Sequence, residues 1–182
     1  MARASQLAKA LHARTLVRFS RRFEESIIHG YILDIGPRFF LLVLVSDGVW
    51  FNGFECFRIS DISNLKPDPY ATFIEAALKR RERKPKKPPV DISSIHKLMR
   101  SASRSFPLVT IHREKIEPDV CHIGRVVDID NSRVSLLEID PHAVWGTTPR
   151  TFKLSEITRV NFGGDYEDAL HVIGGDPTLL PG

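Results

Sequence analysis

Seven histidines, at positions 12, 29, 96, 112, 122, 142 and 171, and two cysteines, at 56 and 121, are the side chains of this 182-residue chain best suited to metal binding or nucleophilic chemistry. None falls in an HExxH or CxxC spacing, the patterns that set two ligands on one side of a transition metal. Cys121, His122 and His112 could meet across adjacent strands, but neighbouring residues of a strand point to opposite faces, so the three do not converge. Asp128 and Asp130 lie two apart and share a strand face, as a general acid and base would. Followed by Asn131 and Ser132, they fit turn chemistry better. Gly163-Gly164-Asp165 and Gly174-Gly175-Asp176 belong to neither a P-loop nor a GxGxxG fingerprint, and read as a turn with a helix N-cap and as a helix end. With no nucleophile and base in company, the expectation is a protein that is not an enzyme, with no catalytic residue, cofactor or metal.

Binding is what the charges suggest. The net charge of +4 is a sum over segments of opposite character. Residues 1–22 hold six bases and no acid, 23–78 three bases and eight acids, 79–88 seven bases and one acid, and 89–182 ten bases and thirteen acids. Two basic stretches therefore sit on mildly acidic foldable regions. Arg14, Arg18, Arg21 and Arg22 form one candidate strip, in which Arg18 and Arg22 alternate along a strand; Lys79, Arg80, Arg81, Arg83, Lys84, Lys86 and Lys87 form a tether. Together they are candidate contacts to a polyanion, RNA before DNA, held through its backbone with an affinity that falls steeply with salt. Trp50 and Phe51, and Trp145 in a matching loop, offer a second reading: aromatics at loop tips stack bases or anchor a protein partner, or else lid the core beneath them.

The elements that must position these groups are read from composition and pattern. A chain with 42% hydrophobic and 26% charged residues is an ordinary globular one. Two cysteines do not staple a secreted mini-protein, and no run of 18 apolar residues spans a bilayer, so a cytoplasmic protein without a membrane partner is expected. The Arg-rich, acid-free start has the look of a mitochondrial presequence, but residues 3–14 have a counterpart in mid-chain, which a cleaved address would not. That counterpart belongs to a repeat. Gly30, Asp34, Ile35 and Leu42 recur 94 residues later as Gly124, Asp128, Ile129 and Leu136, and FRISDISNL recurs 95 residues later as FKLSEITRV. Helical stretches with strands after them, RASQLAKALHAR and DISSIHKLMRSASR, precede the two copies; PYATFIEAALKR and DYEDALHVI follow them. Seven consecutive apolar residues, Phe39 to Val45, predict a central strand, and Asp91 is placed as N-cap of the helix carrying Ile92, Ile95, Leu98 and Met99 on one face. Each copy reads as a helix, five short strands and a short helix, giving module 1 at 1–78, a basic linker too charged and Pro-rich to pack at 79–90, and module 2 at 91–182.

A helix, then a strand, then a strand with an internal Gly and a terminal Asp, then a hydrophobic strand, resembles the Sm-like (LSm) family of SH3-like barrels. GRVVDID (124–130) is similar to the first Sm signature and LSEITRV (154–160) to the last two strands. The resemblance implies a mainly β fold with flanking helices, two tandem five-stranded barrels, and pairing through barrel edges, either between the modules or in a homo-oligomer. It does not carry RNA contacts with it. The Asn that follows the signature Asp in the U-binding members is Val134 here and Phe40 in module 1, and the Arg-Gly of the second signature is absent from both copies.

Overall fold

A computed structural model of the chain describes residues 2–177. The first half runs α1 (Ala2–Ala13), β1 (Leu16–Arg21), β2 (Glu24–Ile35), β3 (Phe39–Val45), β4 (Phe51–Arg58), a 3-10 turn (Ile59–Asp61), β5 (Ile62–Pro67) and α2 (Ala71–Arg80). The second runs α3 (Ile95–Ser105), β6 (Val109–His112), β7 (Cys121–Ile129), β8 (Arg133–Glu138), β9 (Arg150–Lys153), a 3-10 turn (Leu154–Glu156), β10 (Arg159–Phe162) and α4 (Asp165–Gly174). All ten strands belong to one antiparallel sheet, in the order β5-β1-β2-β3-β4-β10-β6-β7-β8-β9. The order of the first five recurs in the second five, and the two sets meet where β4 pairs with β10, Phe57 opposite Arg159 and Phe54 opposite Phe162. The sheet is mainly β architecture with four helices laid on it, and it does not close on itself.

Register repeats along with order. Gly30 faces Leu44 and Gly124 faces Glu138, and the same one-residue bulge follows in each hairpin, at Leu33 and at Val127. The glycines recur for a steric reason: a Cβ on Gly30 would lie 2.3 Å from the Val43 carbonyl oxygen, and one on Gly124 would lie 2.2 Å from that of Leu137. A backbone crossing at that distance admits only hydrogen on Cα.

β3 explains its own unbroken apolar run, because both of its faces are covered. Phe40 and Leu42 point into a core with Leu7 of α1, Val17, Phe19, Phe57 and Ile62. Phe39 and Leu41 point the other way, into a core completed by Val90, Ile92, the α3 residues Leu98, Met99 and Ala102, and Val109, Ile111, Val160 and Phe162 of the second half. That second core is shared, so the halves are joined by apolar burial as well as by a strand pair. Val43 and Val45 continue along the same face under Ile74 and Leu78 of α2.

Two expectations are corrected. The N-cap of α3 is Ser94, whose hydroxyl accepts the Lys97 N–H at 3.2 Å; Asp91 instead accepts the Ser93 N–H in the turn before it. The linker does pack: Lys79 and Arg80 end α2, Pro88 and Val90 are buried, and the Ile92 carbonyl closes on Gly36. Pro and Val have nothing to lose in dehydration, so the apolar residues of a charged segment fold down while its charges stay in water.

The glycine pairs serve packing. Gly163 has φ +66°, and its hydrogen faces the Phe106 ring; Gly164 precedes α4, whose first N–H, that of Asp165, is accepted by Asn52 from the other half at 2.8 Å. Gly53, at φ +74°, lies against Gly164, where a Cβ would stand 2.6 Å from its Cα. Gly53→Ala therefore combines a left-handed backbone with a backbone clash, and is expected to cost about 2–4 kcal/mol in urea unfolding.

Candidate nucleic-acid interface

The two basic stretches converge in part. A groove of about 1150 Å³ runs between the end of α1, the β2 face, α2 and the linker, lined on its charged side by Arg14, Lys79, Arg83, Lys84 and Lys87 with Glu75 and Glu82. Arg14 reaches it because it sits just past α1 with φ 51°, the left-handed turn that ends a helix. Lys79 is on the last turn of α2, a favourable place for a cation beside unpaired carbonyls. Lys87 is held at the groove by Asp34, 2.6 Å away. The floor is apolar, with Leu11, Tyr31, Ile32 and Leu78 among its residues. Burial, with help from Glu75 and Asp68, pushes the Tyr31 phenol up to about 12, so it stays a neutral donor.

The other predicted contacts fall elsewhere. Arg18 is half-buried in β1 opposite Lys66, Arg22 is exposed and paired with Asp61 at 3.2 Å, and Arg80 and Lys86 are exposed away from the groove. Arg81 donates to the Gly48 and Val49 carbonyls and lies 4.1 Å above the Trp50 ring, with Arg83 at 5.7 Å. Trp50 is 44% exposed, so one face of its ring is taken by arginine. Phe51 packs into the core under α2. Trp145 is half-buried on Leu108, Ile139 and Leu170 and donates its indole N–H to the Gly174 carbonyl at 3.1 Å, which makes it a strut for α4 and not an open platform.

Arg21 has to leave the list of nucleic-acid contacts. Its side chain is fully buried, forming a two-pronged pair with Glu114 of the second half (2.8 and 2.6 Å) and a bond to Glu24 (2.9 Å). The Thr158 hydroxyl donates to Glu114 as well, at 2.6 Å. From the other side, Arg159 reaches back to Glu55 at 2.6 Å and Glu24 at 3.4 Å, and Phe57 lies between the two guanidiniums, 4.8 Å from Arg21 and 5.2 Å from Arg159. This network crosses the junction of the halves in both directions. Burial pushes Glu55 up, opposed by Arg159; Glu114 is held down, its burial outweighed by its bonds to Arg21 and Thr158. A basic strip was legible in the sequence, but the acid that removes Arg21 from it lies 93 residues away.

His112 borders the same network, and burial, reinforced by the charge of Arg159, lowers its pKa to about 3. The folded protein then binds one proton fewer than the unfolded chain between about pH 6.5 and 3. The His112 contribution to stability is expected to fall as pH drops below about 6.5, by at most about 1.4 kcal/mol per pH unit, with Glu114 adding to the loss below the ordinary carboxylate range and the raised Glu55 opposing it. Urea midpoints at pH 8, 6.5 and 5 check this; a His112→Gln variant flattens the upper part of the decline.

The histidine and cysteine candidates of β6 and β7 are divided between the two faces of the sheet. His112 and Cys121 face one another across β6 and β7, whereas His122 points to the opposite side and bonds Glu138 at 2.6 Å and Glu117 at 2.9 Å. Among the described residues no group of three or more His, Cys, Asp and Glu is placed to hold a metal ion. Asp130 accepts the backbone N–H groups of Ser132 and Arg133, the turn role expected of it, and Asp128 is exposed. No helix among the described residues is long and apolar enough to cross a membrane. No known protein family, curated protein or solved structure matches the chain.

Proposed function

We propose that the protein is a nonenzymatic, cytoplasmic RNA-binding protein built from two Sm-like barrel modules, and that the groove between α1, α2 and the linker holds the RNA through its phosphates. The single observation that carries this reading is the meeting of Arg14 from the first basic stretch with Lys79, Arg83 and Lys84 from the second along one apolar-floored groove. Cations ranged along one groove are what the backbone of a single strand needs to neutralise its phosphates; the floor beneath them, Tyr31, Ile32 and Leu78, is buried and shapes the groove without offering an open stacking platform. The Sm-like part of the proposal is supported by the strand order five-one-two-three-four in each half, the helix before each first strand and the 3-10 turn between each fourth and fifth strand. Edge-to-edge use of strands is met inside the chain by β4 and β10. The two outer edges carry Lys66 and Pro67 on β5 and Arg150 and Lys153 on β9, residues that discourage strand pairing, so a homo-oligomer built through them is disfavoured.

Retention of the protein on a single-stranded RNA at 50 mM salt, followed as salt is raised, tests the reading. Binding that is absent at low salt, or that ignores salt, overturns it. A protein-interaction role is the second reading, favoured by the exposure of Tyr70 at the N-cap of α2, of Phe73 on α2 and of Val172 and Ile173 on α4. It predicts a complex that survives nuclease and is lost in Phe73→Ser.

A further inference from the structure

A second cationic site lies at the end of β4, away from the groove. Arg3 and Ala4 of α1, Pro37 and Arg38 of the β2–β3 turn, Arg58, Ile59 and Ser60, and Lys115 of the second half enclose a cleft of about 650 Å³. Four of its eight lining residues are cations and none is an acid. Among the described residues, no carboxylate lies within 4.0 Å of the charged nitrogens of Arg3, Arg38, Arg58 or Lys115. Asp61, the acid whose charge acts most on Arg58, is buried and pairs through one oxygen with Arg22.

The fold holds this cluster in place. The Ile59 N–H donates to the Arg38 carbonyl at 2.9 Å, tying the two turns together; Arg58 donates to the Ser155 carbonyl at 2.6 Å, and Arg3 donates to the Ser60 carbonyl at 2.9 Å. Two arginines are thus anchored by one N–H each, leaving other donors of their guanidiniums uncommitted. Arg58 is half-buried; burial lowers its pKa, Asp61 resists, and Arg38 and Arg22 lower it further. Like charges crowded around a half-buried guanidinium work against folding, and an anion in the cleft relieves them.

We infer that this cleft binds a terminal phosphate, a phosphomonoester dianion, between the guanidiniums of Arg38 and Arg58 with Arg3 and Lys115 closing around it. A phosphodiester offers one charge and two free oxygens; a phosphomonoester offers close to two charges and three oxygens, the better match to four unneutralised cations. The source that fits the proposed function is the 5′ end of an RNA whose chain runs on the protein surface; a free nucleotide presents the same group. The site rests on the RNA reading only for that source.

The experiment compares three probes on the full chain: an oligoribonucleotide with a 5′-monophosphate, the same oligonucleotide with a 5′-hydroxyl, and adenosine 5′-monophosphate. The expected result is an approximately tenfold or greater preference for the phosphorylated oligonucleotide, from the added charge-assisted hydrogen bonds. In Arg38→Gln and in Lys115→Gln, both exposed positions whose loss leaves the core intact, the preference collapses while the affinity for the hydroxyl form is unchanged. Equal binding of the two oligonucleotides by the wild type overturns the site and leaves the RNA reading standing. Binding of the mononucleotide that is sensitive to both variants, with no binding of either oligonucleotide, upholds the site and overturns the RNA reading. A preference that survives both variants places the phosphate elsewhere and overturns the assignment.

Discussion

Glu114→Ala is expected to lower the free energy of unfolding by about 3–5 kcal/mol, a large part of what holds a chain of this size together. The replacement strands Arg21, whose side chain is fully buried and whose remaining partner is Glu24. It also leaves the Thr158 hydroxyl without its carboxylate and loosens the junction on one side of Phe57. The cost is that of an uncompensated buried charge, not of a lost attraction, and a second variant separates the two. Replacing both members, Arg21→Met with Glu114→Leu, removes the charge along with its partner and is expected to restore most of the loss, because apolar residues of similar volume pack where a buried pair stood. Urea unfolding of the wild type, Glu114→Ala and the double variant reads all three values. A loss below about 1 kcal/mol for Glu114→Ala would mean that water reaches Arg21 and that the network does not lock the halves.

The second large effect is on RNA affinity. Neutralising Arg14, Lys79, Arg83 and Lys84 to Gln is expected to reduce the slope of log affinity against log salt by about 2–3, at about 0.7 for each lost phosphate contact on a single strand. Carried from the molar range, where such contacts contribute little, that slope corresponds to roughly a thousandfold loss at 50 mM salt and about a hundredfold at 200 mM. All four positions are exposed, so the fold is expected to be unaffected. The same four changes with Lys86→Gln in place of Lys84→Gln should lose less, since Lys86 does not line the groove. Equilibrium binding at four salt concentrations measures the slope, and an unchanged slope removes the groove from the interface.

How far the fold could be read from residues alone depended on whether partners were near in sequence. The hairpin spacing of Gly30 and Gly124 was visible because each glycine answers to a strand a few residues on, and the repeat multiplied the signal. The run Phe39–Val45 announced a central strand, and the apolar spacing of α1 and α3 announced helices. What covers the far face of β3 was not visible, since Val90 and Ile92 sit in a segment whose charges dominate its appearance. The joining of β4 to β10 was likewise hidden: an edge strand and a central strand look alike until the neighbour is known. Site residues followed the same rule. Arg14, Lys79, Arg83, Lys84 and Lys87 could be chosen by charge density, but Arg21 could not be excluded without Glu114. Arg38 and Arg58, in acidic surroundings along the chain, gave no local sign that the fold gathers them with Arg3 and Lys115.

The pairing of β4 with β10 has a consequence during synthesis. β4 is complete at Arg58, whereas β10 does not begin until Arg159. At ribosomal speeds the hundred residues between them take on the order of 5–20 s to emerge. Val90, Ile92 and α3 follow early enough to begin covering the flank of Phe39, Leu41 and Cys56, but for that interval the nascent front half carries a bare β4 margin, so its exposure to holding chaperones and to edge-to-edge self-association is timed by the arrival of four residues, Arg159–Phe162.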